Sequence, residues 1–158
     1  MGSRRKAREC ALQILFQLEF SPDRLEEILQ DYWAAQPVKP EIKEYATWLV
    51  EGIKQHKVEI DQTIEKASEH WRLDRMAMVD RNILRMAVFE LIFEKNLPPP
   101  IIIDEAIEVA RKYSGQEAAV FVNGILDGIF KSLPENRTEN KKVSDNSVKK
   151  SVKKEVVK

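Results

Sequence analysis

Chemistry-bearing residues are scarce in this chain: one cysteine and two histidines among 158 residues. Cys10 has no partner for an internal disulfide, and neither it nor the isolated His56 and His70 falls at the spacing of zinc ligands. Its apolar neighbours make Cys10 a small core residue rather than a nucleophile. Glycine is also rare, at five residues, and no Gly-x-x-x-x-Gly-Lys phosphate loop occurs. No apolar run approaches the roughly 18 residues of a membrane span. The basic start, Met1 to Lys6, is not followed by an apolar block or a small-residue cleavage site, so the expected location is the cytoplasm. Carboxylates are plentiful but sit on strongly charged stretches, and no pair stands out as a general acid and base. The expectation is a binding protein, with no catalytic residue, cofactor or metal.

What remains is charge and apolar patterning. Charged residues make up 33% of the chain and hydrophobic residues 43%, which with few glycines favours helices over sheet. The length suits one well-buried core and is too short for two full-sized domains. The formal net charge of zero hides a segregation: residues 1–9 carry +3, residues 134–158 carry +4 and residues 10–133 carry −7. Such a distribution suits a polyanion at an end and a basic partner on the body.

A first helix is expected over about Arg4 to Glu19, with Ala7, Cys10, Ala11, Ile14, Leu15 and Leu18 on its buried face. Arg5, Leu12 and Phe16 fall roughly opposite, with Arg8 on the flank. That second face is either a contact surface or covered by another helix. Ser21-Pro22 resembles an N-cap followed by proline at the first helical position, opening a second helix that ends before Pro37. From Pro40 to about Glu69 the periodicity reads as one long helix, possible bending included, with Gly52 its weak point. A short turn over Leu73 to Met78 leads into a helix from Val79 to about Lys95, apolar around so much of its circumference that a central position follows. Pro98-Pro99-Pro100 predicts an extended connection, and Asp104 an N-cap for a helix through Tyr113 that Gly115 terminates. A last helix spans about Gln116 to Ser132. Beyond Pro134 the chain turns to Asn, Ser, Lys and Val without a helical stripe, so 134–158 is expected to be a disordered lysine-rich tail.

Arg4-Arg5-Lys6-x-Arg8 stands where cations oppose the helix dipole, a conflict of about 0.3 to 1 kcal/mol per exposed charge. A bound polyanion would relieve it, and arginine both bonds phosphate and stacks on bases, as single-stranded RNA requires.

Four segments together resemble the NusB family of bacterial transcription antitermination factors: 4–16 (RRKARECALQILF), 79–91 (VDRNILRMAVFEL), 103–113 (IDEAIEVARKY) and 121–127 (FVNGILD). Their order and spacing also fit, over residues 4 to about 132. The resemblance implies an all-α fold of two small helical bundles, about seven helices, occupying residues 1–133. It implies binding of boxA-type leader RNA, in single-stranded form, together with the small-subunit ribosomal protein NusE. The complex would support processive transcription of ribosomal RNA operons by RNA polymerase in the elongation complex. Carried over by position, Arg4, Arg5, Lys6, Arg8 and Phe121 would contact RNA, and Phe16 and Asp80 would contact NusE. By its own position, Asp80 is equally readable as the N-cap of the central helix. Phe16 replaces a tyrosine frequent in the family, and Val120 a frequent lysine. A related helical domain also fronts ribosomal RNA cytosine methyltransferases, of whose catalytic domain this sequence carries nothing.

Overall fold

The computed structural model describes residues 2–69 and 71–133. The expected tail, 134–158, lies outside the described residues, as does His70. Seven α-helices and one short 3-10 turn are present among the described residues: α1 Gly2–Phe20, α2 Leu25–Ala35, α3 Pro40–Gln55, α4 Lys57–Ala67, the turn Leu73–Arg75, α5 Met78–Phe93, α6 Pro99–Ser114 and α7 Gln116–Ser132. Helices α1 to α3 form one bundle and α4 to α7 a second. Helix α5 joins them, packing on α1, α3, α4, α6 and α7. Its central position follows from its sequence, because every residue from Asn82 to Leu91 is buried. At about 1.5 to 3 kcal/mol for each fully buried large apolar side chain, this helix contributes heavily to the shared core.

Several local expectations are corrected. The stretch from Pro40 is two helices, broken at His56, whose backbone (φ −110, ψ 25) leaves the helical region. Gly52 is not the weak point. A Cβ there would lie 2.1 Å from the tip of the Phe89 ring, so glycine is what lets α3 close onto α5. Helix α2 begins at Leu25 rather than after Ser21, and Ser21 instead accepts the Arg24 N–H in a turn. The proline run is not wholly extended: Pro98 is (φ −64, ψ 142), but Pro99 and Pro100 open α6. The first helical amides have no intrahelical acceptor in any case, so proline loses nothing there. Asp104 therefore lies inside α6 and caps nothing. Likewise α5 starts at Met78, placing Asp80 in its first turn rather than at the cap. Gly115 does terminate α6 at φ 106, its N–H donating to Ala110 and Arg111 carbonyls.

Helix α1 packs on α2, α3, α5 and α6. The second face that the periodicity leaves undecided is accordingly split: Leu12 is buried, whereas Phe16 is 39% exposed.

Candidate nucleic-acid interface

The arginine-rich start of α1 faces three carboxylates. Two come from the last turn of α5 and its end, Glu90 and Glu94, and the third, Glu105, from the second turn of α6. Arg5 donates two hydrogen bonds to Glu105, at 3.0 and 2.9 Å. Arg4 donates to Glu94 at 3.2 Å while its guanidinium lies over the Tyr45 ring, 4.0 Å from the centroid. Arg8 donates to both Glu90 oxygens, with its closest approach 2.8 Å, and its Nη1 lies 3.7 Å from Glu105. The Tyr45 hydroxyl donates to Glu90 and, at 3.3 Å, to Glu94.

These contacts sort the four basic residues. Arg8 is corrected: it is not on the flank of α1 but enclosed, with 2% of its side chain exposed, matching the 2% of Glu90. Burial works against its charge, but the Glu90 bonds and neighbouring carboxylates outweigh it and hold its pKa above the ordinary arginine value. Arg4 and Arg5 keep 38% and 48% of their side chains exposed, and Lys6 is exposed. The bonds from Arg5 hold the Glu105 carboxyl below its ordinary value, against the opposing effect of burial. The dipole conflict read from the sequence is thus met inside the molecule, and it no longer requires a bound polyanion. Sequence reasoning missed Tyr45, Glu90, Glu94 and Glu105. The available signal was a pair of glutamates four residues apart at the end of an otherwise apolar helix.

Phe121 lies elsewhere. It is half-buried on α7, which packs on α4, α5 and α6. Its ring meets Trp71 edge to face, centroids 6.0 Å apart, and that indole is 54% exposed. Trp71, in the link after α4, is a second aromatic that helical periodicity could not single out.

Phe16 and Asp80 sit at the opposite end of α1 from the arginines. Twelve residues at the helical rise separate Arg4 from Phe16 by roughly 18 Å. The Phe16 ring meets that of Phe20, itself 65% exposed, at 5.4 Å. Next to them Glu19 accepts two bonds from Arg81, at 2.9 Å each, one from Asn82 at 2.9 Å and one from Arg85 at 3.0 Å. This ties the end of α1 to the start of α5. The Arg81 bonds first, then Asn82 and both arginine charges, bring the Glu19 carboxyl down to about 2 despite partial burial. Asp80 immediately precedes Arg81 in the first turn of α5 and accepts the Ser114 hydroxyl at 2.8 Å.

Comparison with known proteins decides the family. The model of the NusB family matches residues 5–131. The chain belongs to the NusB family. It is 45% identical over 139 residues to the transcription antitermination protein NusB of Anaeromyxobacter dehalogenans, covering 87% of this chain and 97% of that protein. The NusB of Desulfitobacterium hafniense is 46% identical, with 83% and 90% covered. Among solved structures, Thermotoga maritima NusB superposes with a TM-score of 0.78 at 42% identity, covering 86% of this chain and 96% of that one. A crystal structure of the antitermination factors NusB and NusE in complex with double-stranded RNA gives 0.76 at 34% identity, covering 84% and 99%. The all-α fold expected from the sequence is therefore the NusB fold. No helix among the described residues is long and apolar enough to cross a membrane.

Proposed function

We propose that this chain is a transcription antitermination factor that binds boxA-type leader RNA together with the ribosomal protein NusE. In this role it supports processive transcription of ribosomal RNA operons. It works in the cytoplasm, with the elongation complex of RNA polymerase, by binding and without catalysis of its own. Residues 1–133 carry these contacts. The observation that carries the reading is the likeness, over 84% of the chain, to a NusB solved with NusE and double-stranded RNA.

The geometry supports a division of labour along α1. Arg4, Arg5 and Lys6 at its start, with Phe121 on α7, are assigned to RNA. Phe16 at its end and Asp80 on α5 are assigned to NusE. Arg8 is reassigned from RNA contact to a positioning residue, because its guanidinium is enclosed and spent on Glu90. Its bonds fix α5 against α1 and so fix Glu94, the carboxylate that orients Arg4. Arginines held by carboxylates lose less freedom on meeting a phosphate or base.

Mixing the protein with NusE, with and without single-stranded boxA RNA, and resolving the products by size-exclusion chromatography tests the reading. The expected result is a complex with NusE and a larger one with both. Failure to pair with NusE and to retain RNA would overturn it.

A further inference from the structure

Arg4, Arg5 and Arg8 are balanced by Glu94, Glu105 and Glu90, so the cluster as a whole carries no net charge. Unbalanced positive charge lies immediately beside it. A groove opens between the start of α1 and the link from α2 into α3, with Ser3 and Lys6 on one side and Pro37, Val38, Lys39 and Ile42 on the other. Both lysines are exposed, Val38 is half-buried and Ile42 is buried. Among the described residues, neither lysine has an ion pair; the pairs near the start of α1 engage Arg4, Arg5 and Arg8 instead. Among the described residues, no carboxylate lines the groove. The nearest in sequence, Glu41, stands in the first turn of α3, where it complements that helix. The first turn of α1 has no acidic residue, so its unpaired amides add to the positive potential.

We propose that this groove is a nucleotide-binding site, with Lys6 and Lys39 holding a phosphodiester and Pro37, Val38 and Ile42 forming the apolar seat of a base. The inference rests on the RNA reading above and extends it to a surface outside the arginine face. Lys6 shares the first turns of α1 with Arg4 and Arg5 but lies about 100° around the helix from Arg5, so a strand on the arginine face reaches the groove by passing round the start of α1. The occupant is single-stranded RNA, because only an unpaired base can turn its apolar face onto such a floor. A duplex offers its backbone and shallow groove instead. Lys39 precedes the first turn of α3 with an extended backbone and no capping bond from its side chain, so replacing it leaves the helix intact.

The test titrates labelled single-stranded boxA-type RNA, followed by anisotropy at 50 and 200 mM salt, with the parent protein, Lys39→Gln and Lys43→Gln. Lys43 lies on a different groove, between α2 and α3. Lys39→Gln is expected to bind several-fold more weakly at 50 mM. Each lost phosphate contact flattens the salt slope by about 0.7 log unit, so its gap to the parent should narrow about 2.6-fold by 200 mM. Lys43→Gln should bind as the parent does. If the parent binds and Lys39→Gln matches it at both salts, or if Lys43→Gln loses as much as Lys39→Gln, the groove proposal is overturned and the RNA reading stands. If the parent itself does not bind RNA, both fail.

Discussion

Replacing Arg8 should destabilise the fold rather than remove an RNA contact. The side chains of Arg8 and Glu90 are each 2% exposed and meet at 2.8 Å. Glu90 also accepts the Tyr45 hydroxyl. In Arg8→Met the apolar stem is kept and the charge removed, leaving the Glu90 carboxyl enclosed with no cation. Breaking a buried pair from one side costs about 3 to 5 kcal/mol, a large share of the roughly 5 to 15 kcal/mol that holds an ordinary domain folded. With a urea dependence of about 2 kcal/mol per molar, the unfolding midpoint should fall by about 1.5 to 2.5 M. Glu90→Leu added to Arg8→Met removes the stranded carboxylate. The double variant should recover most of the loss, since apolar replacement of a whole buried pair is often neutral. Two neighbours keep partners in the double variant, which favours the recovery. Tyr45 keeps Glu94 as an acceptor at 3.3 Å, and Glu105 keeps both bonds from Arg5. Equilibrium urea unfolding of the parent, both single variants and the double variant closes the cycle. An Arg8→Met protein with the parental midpoint and a large loss of RNA affinity would refute the argument and return Arg8 to the RNA-contacting set.

The Glu19 carboxyl, held at about 2 chiefly by Arg81 and then by Asn82 and Arg85, has a folded pKa below its ordinary 4.5, so its contribution to stability is full above about 4.5 and is lost as pH falls toward 2. Glu19→Gln should therefore be less stable than the parent at pH 7, with the difference closing between pH 4.5 and 2; a difference independent of pH would show that the Glu19 charge is not its source. Phe121→Ala should reduce affinity for single-stranded RNA by about 1 to 3 kcal/mol through lost stacking and leave NusE pairing intact; loss of helical circular dichroism instead would make the ring a core residue. Phe16→Asp should nearly abolish pairing with NusE, and Asp80→Lys should mainly slow association and lower its salt sensitivity. Normal pairing by both in calorimetric titration at two salt concentrations would remove them from the interface.

Elements whose burial follows one unbroken period were legible in the sequence: α7 lies at 116–132 as read, and α5 takes the central place its all-round apolar sequence demands. The errors came at ends and junctions. His56 is no helix breaker by composition, and the α3 to α4 break there falls where the chain passes from the first bundle into the second. Pro99 and Pro100 were read for the amides they lack, when the first turn of a helix is where that lack matters least. Steps of 100° put Phe16 opposite the buried stripe but left its exposure undecided, and the same rule left Arg8 on a flank, since a helical wheel contains no information about what the neighbouring helix supplies.

That information was nonetheless present in two halves. Arg8 interrupts the apolar set Ala7, Cys10, Ala11 on α1, and Glu90 interrupts the run Val88, Phe89, Leu91, Ile92 on α5. Each alone reads as a solvated charge. Once α5 is judged too apolar to have an exposed face, Glu90 has no route to water, and an enclosed carboxylate requires a cation from another element. The first helix is the one that combines an apolar face with basic residues at its start, and packing it on α5 brings Arg8 to Glu90, 82 residues away along the chain. The same reasoning applies to Glu19 and the Arg81, Asn82, Arg85 group at the opposite end of the same contact. Two complementary polar interruptions, one at each end of the α1 and α5 contact, fix the helices as antiparallel and in a single register, because any slip would bury both sets of charges unpaired. The start of α1, assigned to RNA together with Phe121 on α7, and the end of α1, assigned to NusE, flank these two locks, which is why one helix can present parts of both surfaces at a set separation.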